Sequence, residues 1–307
     1  MASKLLEVLH TYQNHTLDST RWHGYRPRAD DIVIATSYKS GTTWMLEIVR
    51  RLVFLGRDAP FVDEIWLDAR WHPLTEVMQQ LEAQTHRRFI KTHLPLDGLP
   101  FYAQVKYLVV GRDARDVAMS LWNHYANYTD QFYARINDTP GRVGAQLPSC
   151  PQDIHQFWRK WITGGWFAWE SEGYPFWSNL RHTQTWWNYR QLENILFVHY
   201  HDLLTDLPVE IRRIASFLDI VLPDESLTAL MRAVSLDSMR RDAERLYPNL
   251  GQLWHGGVQT FYFKGMNGRW KDVFSAEELA LYAETAARVL TPECRAWLEQ
   301  GRLAFAH

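Results

Sequence analysis

Four short apolar runs mark the first two thirds of the chain: Ile32 to Tyr38, Arg88 to Thr92, Tyr107 to Gly111 and Ile195 to Tyr200. Each is bounded by polar turn formers, and all four are predicted as buried strands. Helix-period segments lie between and after them. From Thr42 to Leu55, Trp44, Ile48, Leu52 and Leu55 fall on one face, and Gly56 is the expected C-terminal cap. Pro208 to Leu218 is predicted helical. Ser275 followed by Glu278 makes a capping-box pattern opening a helix through Val289, and Thr291-Pro292 starts another. Tyr128 to Pro151 and Leu246 to Thr260 have weak periodicity and many turn formers, so both are expected to be long surface loops of the lid kind. Strands alternating with helices imply a central parallel sheet covered on both faces, a three-layer α/β/α architecture of the α/β class. One domain over residues 1–307 is expected, because a large open sheet can occupy that length as a unit.

Composition narrows the function classes. Apolar residues make up 46% and charged residues 22%, enough for a sizeable core. Lysine and arginine number 33 against 35 acidic residues, a formal charge of -2, so no overall basic field would hold a polyanion and nucleic acid is excluded as a partner. A small anion needs only a few converging cations and amides, and stays open. Two distant cysteines, Cys150 and Cys294, indicate neither a disulfide framework nor a zinc site, and no metal is expected. A reducing, cytoplasmic location fits them. The opening Met-Ala-Ser-Lys-Leu-Leu lacks the apolar core of a signal peptide. No run approaches the roughly eighteen apolar residues that a membrane span requires, so no transmembrane segment is expected.

The chemistry concentrates after the first strand, where the chain runs through Lys39-Ser40-Gly41-Thr42-Thr43-Trp44 into a helix. Gly41 permits close backbone approach, the first-turn amides point outward with the positive end of the helix dipole, and Lys39 and the hydroxyls add donors. The nucleoside triphosphate version carries its lysine after a second glycine; here the lysine precedes a single glycine, so the loop should grip fewer phosphoryl groups. Taken alone, the segment also suits an ordinary capped helix with a solvent-facing lysine.

Ser37-Tyr38-Lys39-Ser40-Gly41-Thr42-Thr43-Trp44 resembles the phosphosulfate-binding loop of the cytosolic sulfotransferase family, with Tyr38 at a position usually held by proline, which should relax the turn. Three further segments resemble the family in the family's order. Arg88-Phe89-Ile90-Lys91-Thr92-His93-Leu94-Pro95 is similar to the strand ending in Lys-Thr-His-Leu-Pro, whose histidine is the catalytic base. Tyr107 to Ser120 is similar to the segment in which an arginine and a serine eight residues later hold a 3′-phosphate, here Arg112 and Ser120. Phe261 to Lys271 resembles the C-terminal Arg-Lys-Gly signature, with Phe263 at the arginine position, leaving Lys264, Gly265 and Arg269 to compensate. Phe197 to Tyr200 resembles the strand ending in a tyrosine that contacts adenine. Leu-Asp-Gly after Pro95 resembles bacterial members more than animal ones.

The resemblance implies a P-loop-like nucleotide-binding fold and transfer of a sulfuryl group from 3′-phosphoadenosine 5′-phosphosulfate (PAPS) to a hydroxyl, releasing 3′,5′-adenosine bisphosphate without a metal. His93 would be the general base, and Lys39 and Lys91 would stabilise the transition state. The nucleotide would be held by Lys39, Ser40, Gly41, Thr42, Thr43, Trp44, Arg112, Ser120, Tyr200, Lys264 and Gly265, its adenine stacked on Trp44. A neutral imidazole at a strand end suits proton removal near neutral pH, and Lys91 falls on the same side of an extended strand as His93.

Two rival readings are a small-molecule kinase, with Asp113 as its candidate magnesium carboxylate, and a non-catalytic nucleotide sensor. The acceptor could be a small molecule or a glycolipid. Seven tryptophans lie between Trp158 and Trp187 and could either line its pocket or pack as core; Trp166 and Trp169 are lid candidates. The family's dimer-forming C-terminal segment is largely absent after Lys271, so no dimer through that segment is expected.

Overall fold

The computed structural model describes residues 6–55 and 65–305. The sheet is built from β1 (Ile32–Thr36), β2 (Ile65–Trp66), β3 (Phe89–Thr92), β4 (Lys106–Gly111) and β5 (Ile195–His199). All pairings are parallel, in the spatial order β2-β3-β1-β4-β5. The chain leaves central β1 towards β3 on one side and returns to β4 on the other. The carboxyl end of β1 is therefore a switch point, where an open α/β sheet leaves a crevice.

Helices cover both faces, which is why the strands are apolar without alternation. One face packs Ile32, Ile34, Leu108 and Val110 against Met45, Ile48, Val49 and Leu52 of α1 (Thr42–Val53). The other packs Val33, Ala35, Tyr107 and Val109 into a larger core with Val117, Trp158, Trp161, Trp186 and Trp297.

The remaining helices follow in chain order: α2 (Leu74–Ala83), α3 (Ala114–Tyr125), α4 (Asp130–Asn137), α5 (Ile154–Thr163), α6 (Asn179–Trp187), α7 (Tyr200–Thr205), α8 (Leu207–Phe217) and α9 (Asp224–Ala233). Then come α10 (Leu236–Leu246), α11 (Leu250–Leu253), α12 (Gly257–Phe261), α13 (Ala276–Val289) and α14 (Pro292–Gln300). The Ser275 and Glu278 capping box is present, with Ser275 Oγ accepting from the Glu278 amide and Glu278 accepting from the Ser275 amide. Thr291 caps α14.

Several sequence expectations need correcting. The four predicted strands are present, but β1 ends at Thr36 rather than Tyr38, and Tyr200 opens a helix instead of closing β5. Strand β2 was not foreseen, because two residues are too few to show a pattern. The stretch from Tyr128 to Pro151 is not all loop, since α4 lies within it with Thr129 as N-cap. Leu246 to Thr260 contains α11 and most of α12. The buried face of α1 runs through Met45, Leu46, Ile48, Val49 and Leu52; Trp44, partly buried, packs against that core and also stands edge-on to Tyr200 with ring centres 5.5 Å apart. Leu55 falls beyond the end of α1, and the expected cap Gly56 lies outside the described residues.

Candidate active site

A cavity of about 460 Å³ opens at the carboxyl ends of β1, β3 and β4. Among the described residues its lining contains the side chains of Lys39, Lys91, Arg112, Lys264 and Arg269 and no aspartate or glutamate. That charge imbalance is a local property, invisible in a net charge of -2.

The loop after β1 forms one wall. Gly41 caps α1 with φ near 101°, and no side chain accepts from the first-turn amides, which stay available to an anion. A Cβ on Gly41 would lie 2.8 Å from the Tyr200 ring, so both the left-handed backbone and the close ring approach require glycine. Lys39 also has a left-handed backbone, φ 56°, a conformation disfavoured for a side-chain-bearing residue and held by its surroundings. Tyr38 precedes Lys39 in this loop. It is buried, donates to the Trp177 carbonyl at 2.7 Å and accepts from Trp161 Nε1 at 2.7 Å, tying the loop to two other segments.

Thr36 joins the loop to His93. Its Oγ1 lies 2.7 Å from Thr42 Oγ1, and its carbonyl accepts from His93 Nδ1 at 2.8 Å. A carbonyl can only accept, so Nδ1 carries the proton and Nε2 keeps its lone pair. Burial, reinforced by the Lys91 ammonium, pushes His93 well below the usual histidine range, so the ring is neutral at pH 7. Asp68, fully buried, accepts from the His93 amide at 3.2 Å and from Trp66 and Trp22. It fixes the strand end that carries the imidazole. Nothing in the sequence distinguished Asp68.

Of the predicted cations, Lys91 stands over the Trp66 ring at 4.5 Å. Arg112 lies over the Tyr200 ring at 4.2 Å and donates to Asn267 Oδ1, the Lys39 carbonyl and the Met266 carbonyl. It thereby joins three segments around one wall of the cavity. Burial lowers Lys39 to about 7, with Arg112 and Lys91 adding to the effect. Ser120, Tyr200, Lys264 and Gly265 also line the cavity. Ser40 does not: it is buried, with its hydroxyl directed to the Tyr38 carbonyl at 3.4 Å. The space near Phe263 is shared by Arg269, whose guanidinium lies 5.0 Å over that ring and which also lines the cavity.

Another part of the lining is aromatic, and Phe261 and Trp66 within it reach Lys39 and Lys91 at 5.4 and 4.5 Å. Trp66, Trp71, Tyr128, Phe132, Phe176, Trp177, Trp254 and Phe261 form it. Of the seven tryptophans between 158 and 187, only Trp177 takes part. Trp158, Trp161, Trp186 and Trp187 are core, Trp169 stacks on His10 at 4.3 Å, and Trp166 packs against His15 and Tyr174, so neither lid candidate reaches the site. Sequence reasoning also missed His124, whose Nδ1 lies 3.2 Å from Lys39 Nζ.

A switch-point crevice bordered by a single-glycine loop at a helix start, a neutral strand-end histidine and, among the described residues, cations without a carboxylate has the features of a transferase-type site for a small anionic ligand. Residues 29–291 match the family model described as "Sulfotransferase domain", and the chain belongs to that family: it is an enzyme of the sulfotransferase class. A glycolipid sulfotransferase of Mycobacterium bovis is 33% identical over 316 residues, covering 96% of this chain and 95% of that protein. Human sulfotransferase 1E1 is 27% identical over 261 residues, covering 82% and 80%. The fold is similar to that of a mouse sulfotransferase solved with PAP (TM-score 0.69, 20% identity, 96% and 100% covered). It also resembles a retinol dehydratase solved with androsterone and PAP (TM-score 0.64, 24% identity, 89% and 84% covered).

Proposed function

We propose that this enzyme transfers a sulfuryl group from PAPS to the hydroxyl of a small or lipid-like acceptor, through His93 as general base. The observation that carries the reading is the His93 geometry. Its proton is committed to the Thr36 carbonyl, and its Nε2 lone pair is left to a cavity lined by both the loop after β1 and a set of aromatic rings. His93 takes the hydroxyl proton as the acceptor oxygen bonds to sulfur, and the bond from sulfur to the bridging phosphate oxygen breaks. The electron pair stays on adenosine bisphosphate. Lys39 and Lys91 meet the charge that builds on the bridging oxygen, a contribution of positioning and electrostatics.

The residues suit the donor. Lys39, Gly41, Thr42 and Thr43, with the Ser40 backbone, hold the phosphosulfate, and Arg112, Ser120, Lys264 and Gly265 hold the 3′-phosphate. Trp44 and Tyr200 border the adenine, and Arg269 stands in for the cation absent at Phe263. The whole chain acts as one catalytic domain without a dimer through the segment after Lys271, and the location is the cytoplasm. Among the described residues no helix is long and apolar enough to cross a membrane.

The kinase alternative loses its carboxylate. Asp113 caps α3, accepts from Arg115 through the backbone and the guanidinium, and does not line the cavity. The aromatic lining favours an acceptor with an apolar body, and the mycobacterial relatives bring in the hydroxyl of a glycolipid. Thermal shift with adenosine bisphosphate, compared with ATP and magnesium, tests the donor. An acceptor panel of phenols, sterols and glycolipids with sulfur-labelled PAPS tests the transfer. Stabilisation by ATP and magnesium alone would overturn the reading.

A further inference from the structure

Lys39 sits in an unusual setting for a buried cation. Arg112 and Lys91 face it from β4 and β3, His93 lies beyond Lys91, and Phe261 of α12 presents its ring at 5.4 Å. Among the described residues no carboxylate pairs with it. Among those residues the ammonium has one hydrogen-bond partner, His124, on the last turn of α3, one turn beyond Ser120. An ammonium has donors only, so His124 Nδ1 must accept, and the His124 proton resides on Nε2. The tautomer is opposite to that of His93. Two imidazoles thus border one cavity, one tied to a carbonyl and offering a lone pair, the other holding a lysine.

The setting of His124 reaches both parts of the cavity lining. Its ring packs on Trp254 at 4.8 Å and on Tyr128 and Phe261 at 5.4 Å each. Those residues are clamped together: the His255 amide donates to Asn127, the Thr129 amide to Leu253, and Tyr128 bridges Trp254. We infer that His124 is a positioning residue for Lys39, keeping its ammonium charged and aimed into the cavity through Nδ1, from a ring held in place by its aromatic neighbours. The aromatic part of the lining then sets the position of the cation of the loop. Burial keeps His124 well below the usual histidine range, with Lys39 and Lys91 adding to it, so it stays an acceptor at neutral pH. The inference rests on the role proposed above for Lys39.

The test separates hydrogen bonding from packing. His124→Phe keeps the aromatic contacts and removes the acceptor; His124→Asn and His124→Gln keep a carbonyl oxygen and lose the ring. In the ligand-free protein, the pH dependence of Lys39 acylation by acetic anhydride, read by peptide mass spectrometry, reports the charge of Lys39. Losing a hydrogen bond to the charged form lowers a lysine pKa, so the midpoint should fall by about one pH unit in His124→Phe. It should return towards wild type in His124→Asn or His124→Gln. Turnover of 2-naphthol with PAPS should follow the same order, about tenfold lower in the Phe variant. An unmoved midpoint in His124→Phe, or an equal fall in all three variants, overturns the assignment. A wild-type enzyme that neither binds adenosine bisphosphate nor uses PAPS would instead strike the functional reading, because Lys39 acylation is measured without either.

Discussion

The loop and the aromatic part of the cavity lining are built by different means. The first is a loop and a helix start: Lys39 to Trp44 are consecutive, and the amides, the glycine and the lysine act together because they are neighbours in the chain. Its precision comes from backbone geometry, shown by Gly41 at φ 101° and by the Tyr200 ring against it. The aromatic part gathers Trp66, Trp71, Tyr128, Phe132, Phe176, Trp177, Trp254 and Phe261 from separate segments, and its shape comes from packing. A site of the first kind recognises a fixed charged group, while one of the second kind fits an apolar body and can change by side-chain substitution without disturbing the loop. His93 touches both, bonded to Thr36 ahead of the loop and packed on Trp66 and Trp177, and its proposed role as base makes damage to it unlike damage to either part.

That position gives the largest expected effect. His93→Ala should lower kcat by roughly 100- to 10,000-fold, the usual contribution of a placed base. Adenosine bisphosphate binding by calorimetry should be nearly unchanged, and the melting temperature nearly so. The loss should be greater for alkyl alcohols than for acidic phenols, which are partly ionised already. The pH profile follows from the same groups. A histidine held well below 6.5 in the folded protein protonates only in acid, so the acid limb of kcat/KM should fall well below pH 6.5. Lys39, lowered to about 7 without ligand, loses its charge as pH rises through that value, so kcat/KM for PAPS should decline above about pH 7. Equal turnover of an alkyl alcohol by mutant and wild type would remove His93 from the chemistry.

The contrast also explains what was legible in the sequence. The β1 loop, the strand end at His93 and the Arg112 to Ser120 segment could be read because each is a local pattern whose geometry follows from sequence neighbours. The capping box at Ser275 was legible for the same reason. The place of Trp44 on the face of α1 was legible from its spacing, whereas its contact with Tyr200 depends on how β5 returns beside β4, next to β1. The tryptophan cluster supplied one ring of the cavity, Trp177; Trp66, Trp71 and Trp254 reach it from outside the cluster, and only topology brings them there. Asp68 and His124 act through distant partners and left no local signature.

Beside the loop, Arg112→Ala should weaken adenosine bisphosphate binding by roughly 1.5 to 3 kcal/mol, the value of a hydrogen bond to a charged group. Arg112 also braces Lys39, Asn267 and Met266, so some general loosening accompanies the change. The decisive measurement is therefore the ratio of adenosine bisphosphate to AMP affinity, which loosening alone would leave intact. A mutant that discriminates the two as well as wild type would move the 3′-phosphate elsewhere.

In the aromatic part, Trp71→Leu should raise KM for an apolar acceptor by about 2- to 10-fold, in keeping with about 0.5 to 1.5 kcal/mol for an aromatic contact. Affinity for adenosine bisphosphate should not change. A matched loss of both would mean that the two parts are not separable.

The smallest effect is expected where the chain departs from the family signature. If Phe263 left a real gap in the 3′-phosphate site, Phe263→Arg would tighten PAPS binding by adding a cation. The ring is instead flanked by Arg269, at 5.0 Å, and by the Lys264 ammonium, at 5.3 Å. Burial and the nearby Arg112 guanidinium already lower the Arg269 pKa, so a further guanidinium would enter a region that disfavours another positive charge. Phe263→Arg should thus leave affinity within about 0.5 kcal/mol or weaken it, whereas Arg269→Ala should weaken it by about 1 kcal/mol or more. Calorimetry on both variants decides the matter. Tighter binding by Phe263→Arg, with no loss in Arg269→Ala, would show that the cation is missing rather than replaced.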